Sequence, residues 1–313
     1  MDMKWNFVRE SVSEETRPFT LPGQRATSAR FNEYYDLVKP GIVYGNTIVA
    51  IAAYLFASRW VLDVQIFSGL IVGLAFVIGS AAILNNYFDR HIDALMERTK
   101  NRALATGAIS TSFALIFSAI LGLVGFGILY ALVNPLSAFS ALAGFLVYLG
   151  LYGPSKRATP WGVVIGAVAG AIPTFVGYAA ATGRIDLPAL LLFSILFIWQ
   201  LPHFFAISLY RYDEYAAAKI PTFAFKMGIP PTKYAIVTTI ILFTAAVGLL
   251  SSFGYTGGLF AIAMALVCAV WFVSALRGFK ATDTKAWARR MFYISLLVIF
   301  AFTILLSVGP ILP

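Results

Sequence analysis

Charge is what this chain has least of. Of its 313 residues only 12% are Asp, Glu, Lys or Arg, against 60% hydrophobic, and the mean hydropathy is +0.82. A soluble domain carries roughly a quarter charged residues. The deficit excludes an ordinary water-soluble core and makes the lipid bilayer the expected solvent. Cysteine is nearly absent. Cys268 is the single thiol and lies in an apolar run, so an intrachain disulfide is excluded and a small buried hydrophobe is expected. A basic-then-apolar start is missing too. Residues 1–38 are polar and charged, which predicts a retained N-terminal tail ahead of an intramembrane domain over 39–313.

What remains is long charge-free stretches at 40–58, 64–88, 103–155, 158–183, 187–210, 234–276 and 291–313. One crossing needs roughly 20 apolar residues. Two stretches are therefore too long, and each carries a natural break, at Asn134-Pro135 and at Ser251–Gly254 followed by Gly257-Gly258. The expectation is nine helices.

Loop charges test that count. With the N-terminus in the cytoplasm, the inner segments hold Lys4, Arg9, Arg17, Arg25, Arg30 and Lys39, then Arg90, Arg98, Lys100 and Arg102, then Lys156 and Arg157. They continue with Arg211, Lys219, Lys226 and Lys233, then Arg277, Lys280, Lys285, Arg289 and Arg290. Only Arg59 and Arg184 fall outside. Such an asymmetry follows the positive-inside rule, and a miscounted span would scramble it. The net charge of +9 reads as topology and affinity for anionic lipid, not as a nucleic-acid surface.

Three inner segments carry residues able to do chemistry. In NNYFDRHID, residues 85–93, the residues Asn85, Asp89 and Asp93 recur at i, i+4, so a helix stacks them on one face. Paired carboxylates with an amide oxygen suit Mg²⁺, which prefers oxygen ligands and leaves positions for substrate phosphates. Arg98, Lys100 and Arg102 follow with donors for phosphate oxygens. The competing reading is a solvated helix end, and His91 points elsewhere on the helix. The second segment, YLGLYGPSKRATPW, offers Lys156 and Arg157, with Tyr148 and Tyr152 one turn apart as aromatic faces for a cation or as interface anchors. The third places Trp199, Gln200, Pro202 and His203 inside an apolar stretch, with the acids Asp213 and Glu214 beyond it. Gly166 and Gly170 read as a helix-packing motif.

These segments together resemble the intramembrane prenyltransferases of the UbiA type over nearly everything from residue 34 onward. The likeness rests on DLVKPGIVYGN at 36–46, NNYFDRHID with ERTKNR, YGPSKR at 152–157 and IGAVAGAIPTFVGYAAATG at 165–183. The segment WQLPHFFAISLYRYDEYAAAKIP at 199–221 selects the branch acting on heme. The resemblance implies an all-α bundle of nine transmembrane helices with a central cavity, in a prokaryotic cytoplasmic membrane with the active site toward the cytoplasm. It implies Mg²⁺-dependent transfer of farnesyl from farnesyl diphosphate to a vinyl group of heme B with addition of water. A heme A synthase or a terminal oxidase is the implied partner.

By the same likeness, Asn85, Asp89 and Asp93 hold metal and diphosphate, and Arg98, Lys100, Arg102, Lys156 and Arg157 bind diphosphate. Asp213 or Glu214 is the second metal position, and Tyr148, Tyr152 and His203 contact substrate. Three departures stand out: His91 replaces an acid, Glu214 replaces an aspartate, and IPTFAF lacks a second proline. Two alternative readings fit the sequence less well. A quinone-precursor prenyltransferase is disfavoured by the missing spaced-aspartate motif in the loop before residue 229. A transporter is disfavoured because the acids cluster at helix ends, not at midplane.

Overall fold

The computed structural model describes residues 31–311. Most of the expected tail lies outside the described residues. Its last part forms a short helix, Phe31–Leu37, tied down where Asn86 Nδ2 donates to the Leu37 carbonyl at 2.9 Å.

Among the described residues there is no strand, and nine helices are long and apolar enough to cross a membrane. They are α1 (Pro40–Ser58), α2 (Val64–Asp93), α3 (Thr111–Val133), α4 (Pro135–Ala158), α5 (Gly162–Thr182), α6 (Leu187–Tyr210), α7 (Ile229–Ser252), α8 (Gly258–Lys280) and α9 (Thr284–Ile311). The protein is thus an integral multi-pass membrane protein.

The breaks have local causes. Asn134 ends one crossing and starts the next: its Oδ1 accepts from Ser137 N at 2.8 Å, Pro135 occupies the first turn, and its Nδ2 donates to Ala179 O on α5. Asp63, Ser110 and Asp283 cap α2, α3 and α9 in the same way. Gly254, at φ +72°, makes the turn after α7. Several boundaries differ from the charge-free stretches, with α3 starting later at Thr111 and α7 earlier at Ile229. α2 runs five residues past Phe88, because Asp89 and Asp93 are buried against partners instead of ending the helix. α9 starts at Thr284, carrying Arg289 and Arg290 in its first turns.

α1, α2, α4, α5, α6 and α9 surround the interior cavities, while α3, α7 and α8 pack outside against α2, α6 and α9. The tightest approach is between α1 and α5. A Cβ placed on Gly177 would lie 2.0 Å from the main-chain oxygen of Ala50. Gly166 and Gly170 have a different role from the helix packing expected of them. A Cβ there would strike the Tyr152 ring at 2.8 Å or Gln200 Oε1 at 2.1 Å, so these glycines make room for side chains that line the cavity.

Gly177→Ala is expected to destabilise the detergent-solubilised protein by about 1–3 kcal/mol, since backbone must move. Gly127→Ala, on α3 with nothing within 4 Å, is expected to be neutral or stabilising by a few tenths of a kcal/mol. Equal thermal midpoints for the two variants would contradict the close α1–α5 contact.

Candidate active site

The last two turns of α2 place Asn85, Asp89 and Asp93 on one buried face, each less than a tenth exposed. Burying carboxylates is costly unless each finds a charged, hydrogen-bonded partner, and three cations from two segments supply them. Lys156 and Arg157, in the final turn of α4, both bond Asp89. Arg157 also donates to the Phe88 carbonyl at 3.0 Å. Arg102 Nη1 reaches Asp93 Oδ2 at 2.8 Å. The intervening loop is folded back by Thr99, whose hydroxyl donates to the Asp93 carbonyl at 3.0 Å. Lys39 Nζ donates to Asn85 Oδ1 at 2.7 Å.

In the sequence Lys39 reads as one of the tail charges, but in the structure its ammonium reaches the site. It holds a left-handed backbone conformation, φ 54°, directly before Pro40. Both features are unfavourable for a lysine and direct the chain into α1. Burial, then the nearby Arg102 and Lys156 charges, push its ammonium down to about 7. The signal that could have found it is the Lys-Pro pair at the very start of a span.

These groups line a polar chamber of about 480 Å³, together with Arg98, Arg211 and Tyr215. Burial pushes the Tyr215 phenol up, so it faces the chamber as a neutral hydrogen-bond donor. A second, apolar chamber of about 520 Å³ extends into the bundle and is lined by Trp199, Gln200 and His203 among aliphatic and aromatic side chains. Ile42, Tyr148, Tyr152 and Phe204 line both chambers and form their common wall. The two tyrosines are placed there by a π-helical segment, Val147–Tyr152, that interrupts α4. Their rings stack at 5.6 Å, and Lys156 Nζ sits 5.4 Å from the Tyr152 ring centre.

Three sequence expectations are not brought to this site. Lys100 turns outward onto Glu97 at 2.7 Å. Asp213 pairs with Lys285 at 3.1 Å on the exposed surface, and Glu214 pairs with Arg211 at 3.0 Å. Neither acid lines a chamber. They occupy the first turn of a short helix, Tyr212–Ala217, where acids complement the free amides of a helix start. The segment contributes Arg211 and Tyr215 instead. His91 is exposed, as expected.

Two buried carboxylates and an amide oxygen on one face form an oxygen-only donor set of the kind Mg²⁺ accepts with phosphate completing its shell. No group of three or more His, Cys, Asp or Glu able to hold a metal occurs among the described residues. With its two acids, amide oxygen and surrounding cations, the polar chamber suits a metal bound together with an anionic ligand. The surrounding cations suit a diphosphate, and the chamber beyond the tyrosines suits large apolar ligand groups.

The chain is 40% identical to the protoheme IX farnesyltransferase of Yersinia enterocolitica over 88% of this chain and 94% of that protein. It is also 40% identical to that of Shigella flexneri, over 90% and 96% respectively. The fold matches a digeranylgeranylglyceryl phosphate synthase structure at TM-score 0.76 and 19% identity, covering 90% of this chain and 98% of that one. It matches a UbiA homolog from Archaeoglobus fulgidus bound to DMAPP and Mg²⁺ at TM-score 0.68 and 14% identity, over 88% and 99%. Residues 46–297 match the UbiA prenyltransferase family as a whole, and with two thirds of the chain and more behind each agreement, the protein belongs to that family.

Proposed function

We propose that this protein transfers the farnesyl group of farnesyl diphosphate to a vinyl group of heme B, with addition of water, to give heme O. The observation that carries the reading is the joining of a cation-lined polar chamber to an apolar chamber through a wall of two stacked tyrosines. The farnesyl and heme assignments are supported by the protoheme IX farnesyltransferases to which the chain is 40% identical. The site faces the cytoplasm of a prokaryotic inner membrane, as does the N-terminus, a reading supported by the loop-charge asymmetry.

The diphosphate lies in the polar chamber among Lys39, Arg98, Arg102, Lys156, Arg157 and Arg211. Asn85, Asp89 and Asp93 would hold Mg²⁺, which when bound offsets the negative charge of the leaving diphosphate. The allylic C–O bond breaks at the tyrosine wall, where diphosphate takes the electron pair and the guanidinium and ammonium groups stabilise it. The faces of Tyr148 and Tyr152 stabilise the allylic cation. The apolar walls keep bulk water from it until the vinyl π pair attacks its terminal carbon. The new cation, on the carbon next to the porphyrin ring, takes one water molecule, which then loses a proton. Lys156 and Arg157 hold Asp89 and lie within reach of the same chamber, so the diphosphate competes with Asp89 for their donors.

Asp89→Asn is expected to lower heme O formation by ~100-fold or more in membranes given heme B, farnesyl diphosphate and Mg²⁺, because it removes the charge that two cations and the metal share. Wild-type turnover would contradict the metal and diphosphate assignment. Lys39→Met is expected to raise the KM for farnesyl diphosphate ~10- to 100-fold, the range of a lost charged hydrogen bond. The double variant Asp213→Asn/Glu214→Gln is expected to stay within ~3-fold of wild type, as its side chains line neither chamber. Strong loss in the double variant with little change in Lys39→Met would reverse the assignment of the two segments.

A further inference from the structure

In the apolar chamber the His203 imidazole is fixed in both position and plane. Its Nδ1 lies 2.7 Å from Ser295 Oγ on α9. The Ser295 hydroxyl in turn lies 2.6 Å from the Phe292 carbonyl oxygen, one turn earlier on the same helix. A carbonyl can only accept, so the serine proton is committed to Phe292 and its oxygen meets His203 as an acceptor. The ring proton of His203 therefore sits on Nδ1, and Nε2 keeps its lone pair.

The plane of the ring is fixed as well. Trp199 stacks on it at 4.9 Å and 23°, and Phe292 covers it at 5.1 Å. Trp199 is held by its Nε1, which donates to the Ser295 main-chain oxygen at 2.9 Å. Nε2 has no hydrogen-bond partner among the described residues and is not one of the sealed, unpartnered buried atoms. It belongs to a side chain lining the apolar chamber. A neutral imidazole with one N–H tied to a fixed acceptor and the other nitrogen open is the arrangement of a metal-ligating histidine, where the acceptor sets the tautomer and strengthens the donor nitrogen.

We propose that His203 binds the iron of the porphyrin acceptor through Nε2, and that Ser295 is the positioning residue that holds its lone pair toward the chamber. This rests on the reading of heme B as the acceptor. The bond forms by donation of the Nε2 lone pair into the iron, without a change of oxidation state or loss of a proton. Its consequence is geometric. Phe204, the next residue, belongs to the wall shared by both chambers, so an iron anchored at His203 brings the porphyrin rim toward Tyr148 and Tyr152. Coordination at the ring centre thereby places a peripheral vinyl group beside the farnesyl terminus.

The test uses the full-length protein in lipid nanodiscs loaded with heme B, read by absorption and by the iron–histidine stretch in the resonance Raman spectrum of the ferrous form. Wild type is expected to show that band. His203→Ala is expected to lose it and to regain histidine-like ligation with added imidazole. Ser295→Ala is expected to shift the band and weaken heme binding ~10- to 100-fold, the usual cost of removing a ligand's hydrogen-bond partner, with Ser295→Thr close to wild type. The Trp199 bond to the Ser295 main chain survives these changes, so the fold is expected to persist in all of them.

Identical spectra for wild type and His203→Ala would overturn the proposal, as would a Ser295→Ala band at the wild-type frequency. Farnesyl transfer is measured on the same nanodiscs, which separates the two readings. If wild type makes farnesylated heme but shows no histidine band, axial ligation fails while prenyl transfer stands. If wild type neither binds nor farnesylates heme, both fail.

Discussion

Two carboxylates that a membrane helix carries into its own buried end set the terms for this fold. Asp89 and Asp93 lie within α2, each less than a tenth exposed. At such positions an unpaired charge would destabilise the protein by several kcal/mol. Their neutralisation draws in the end of α4 through Lys156 and Arg157 and the loop after α2 through Arg102, while Lys39 ties the entry to α1 onto the neighbouring Asn85. The segments that close the mouth of the cavity are thus recruited by charge, in a molecule otherwise short of it. The same groups then form the lining that a diphosphate requires.

The interior is divided by polarity, and the division supports the chemistry. Cations and acids are confined to the chamber at the helix ends, while the chamber within the bundle is apolar apart from a few fixed groups. Departure of an anion and protection of an allylic cation need opposite surroundings, and the tyrosine wall is where they meet. That wall depends on a local irregularity. The π-helical segment in α4 offsets the helical register at Tyr148 and Tyr152, and the missing side chain at Gly166 leaves space for the Tyr152 ring.

Much of this was legible in the sequence, for identifiable physical reasons. Span number follows from charge exclusion and from turn residues such as Asn134-Pro135, both local properties. The register of Asn85, Asp89 and Asp93 follows from helix periodicity alone. What sequence could not supply is the direction a side chain takes outside a regular helix. Asp213 and Glu214 are the second metal position only by family resemblance; Asp213 pairs with Lys285 at the surface and Glu214 with Arg211, while Arg211 and Tyr215 line the polar chamber. Lys100 alternates with Arg98 and Arg102 in sequence, but its partner is Glu97. Lys39 was the opposite case, a charge assigned to topology that the left-handed turn before Pro40 carries into the site. The bond of Ser295 to His203 spans 92 residues between α6 and α9, a pairing no local pattern encodes.

The central claim is that a prenyl diphosphate chamber and a heme chamber meet in one membrane protein. Pigment analysis of membranes from cells expressing the full chain tests it most directly, by extraction, reverse-phase separation and mass spectrometry of the hemes. The account predicts a new, more hydrophobic heme whose mass exceeds that of heme B by one farnesyl group and one water, increasing with expression of the chain. Heme B alone, in membranes shown to contain the folded protein and farnesyl diphosphate, would contradict it.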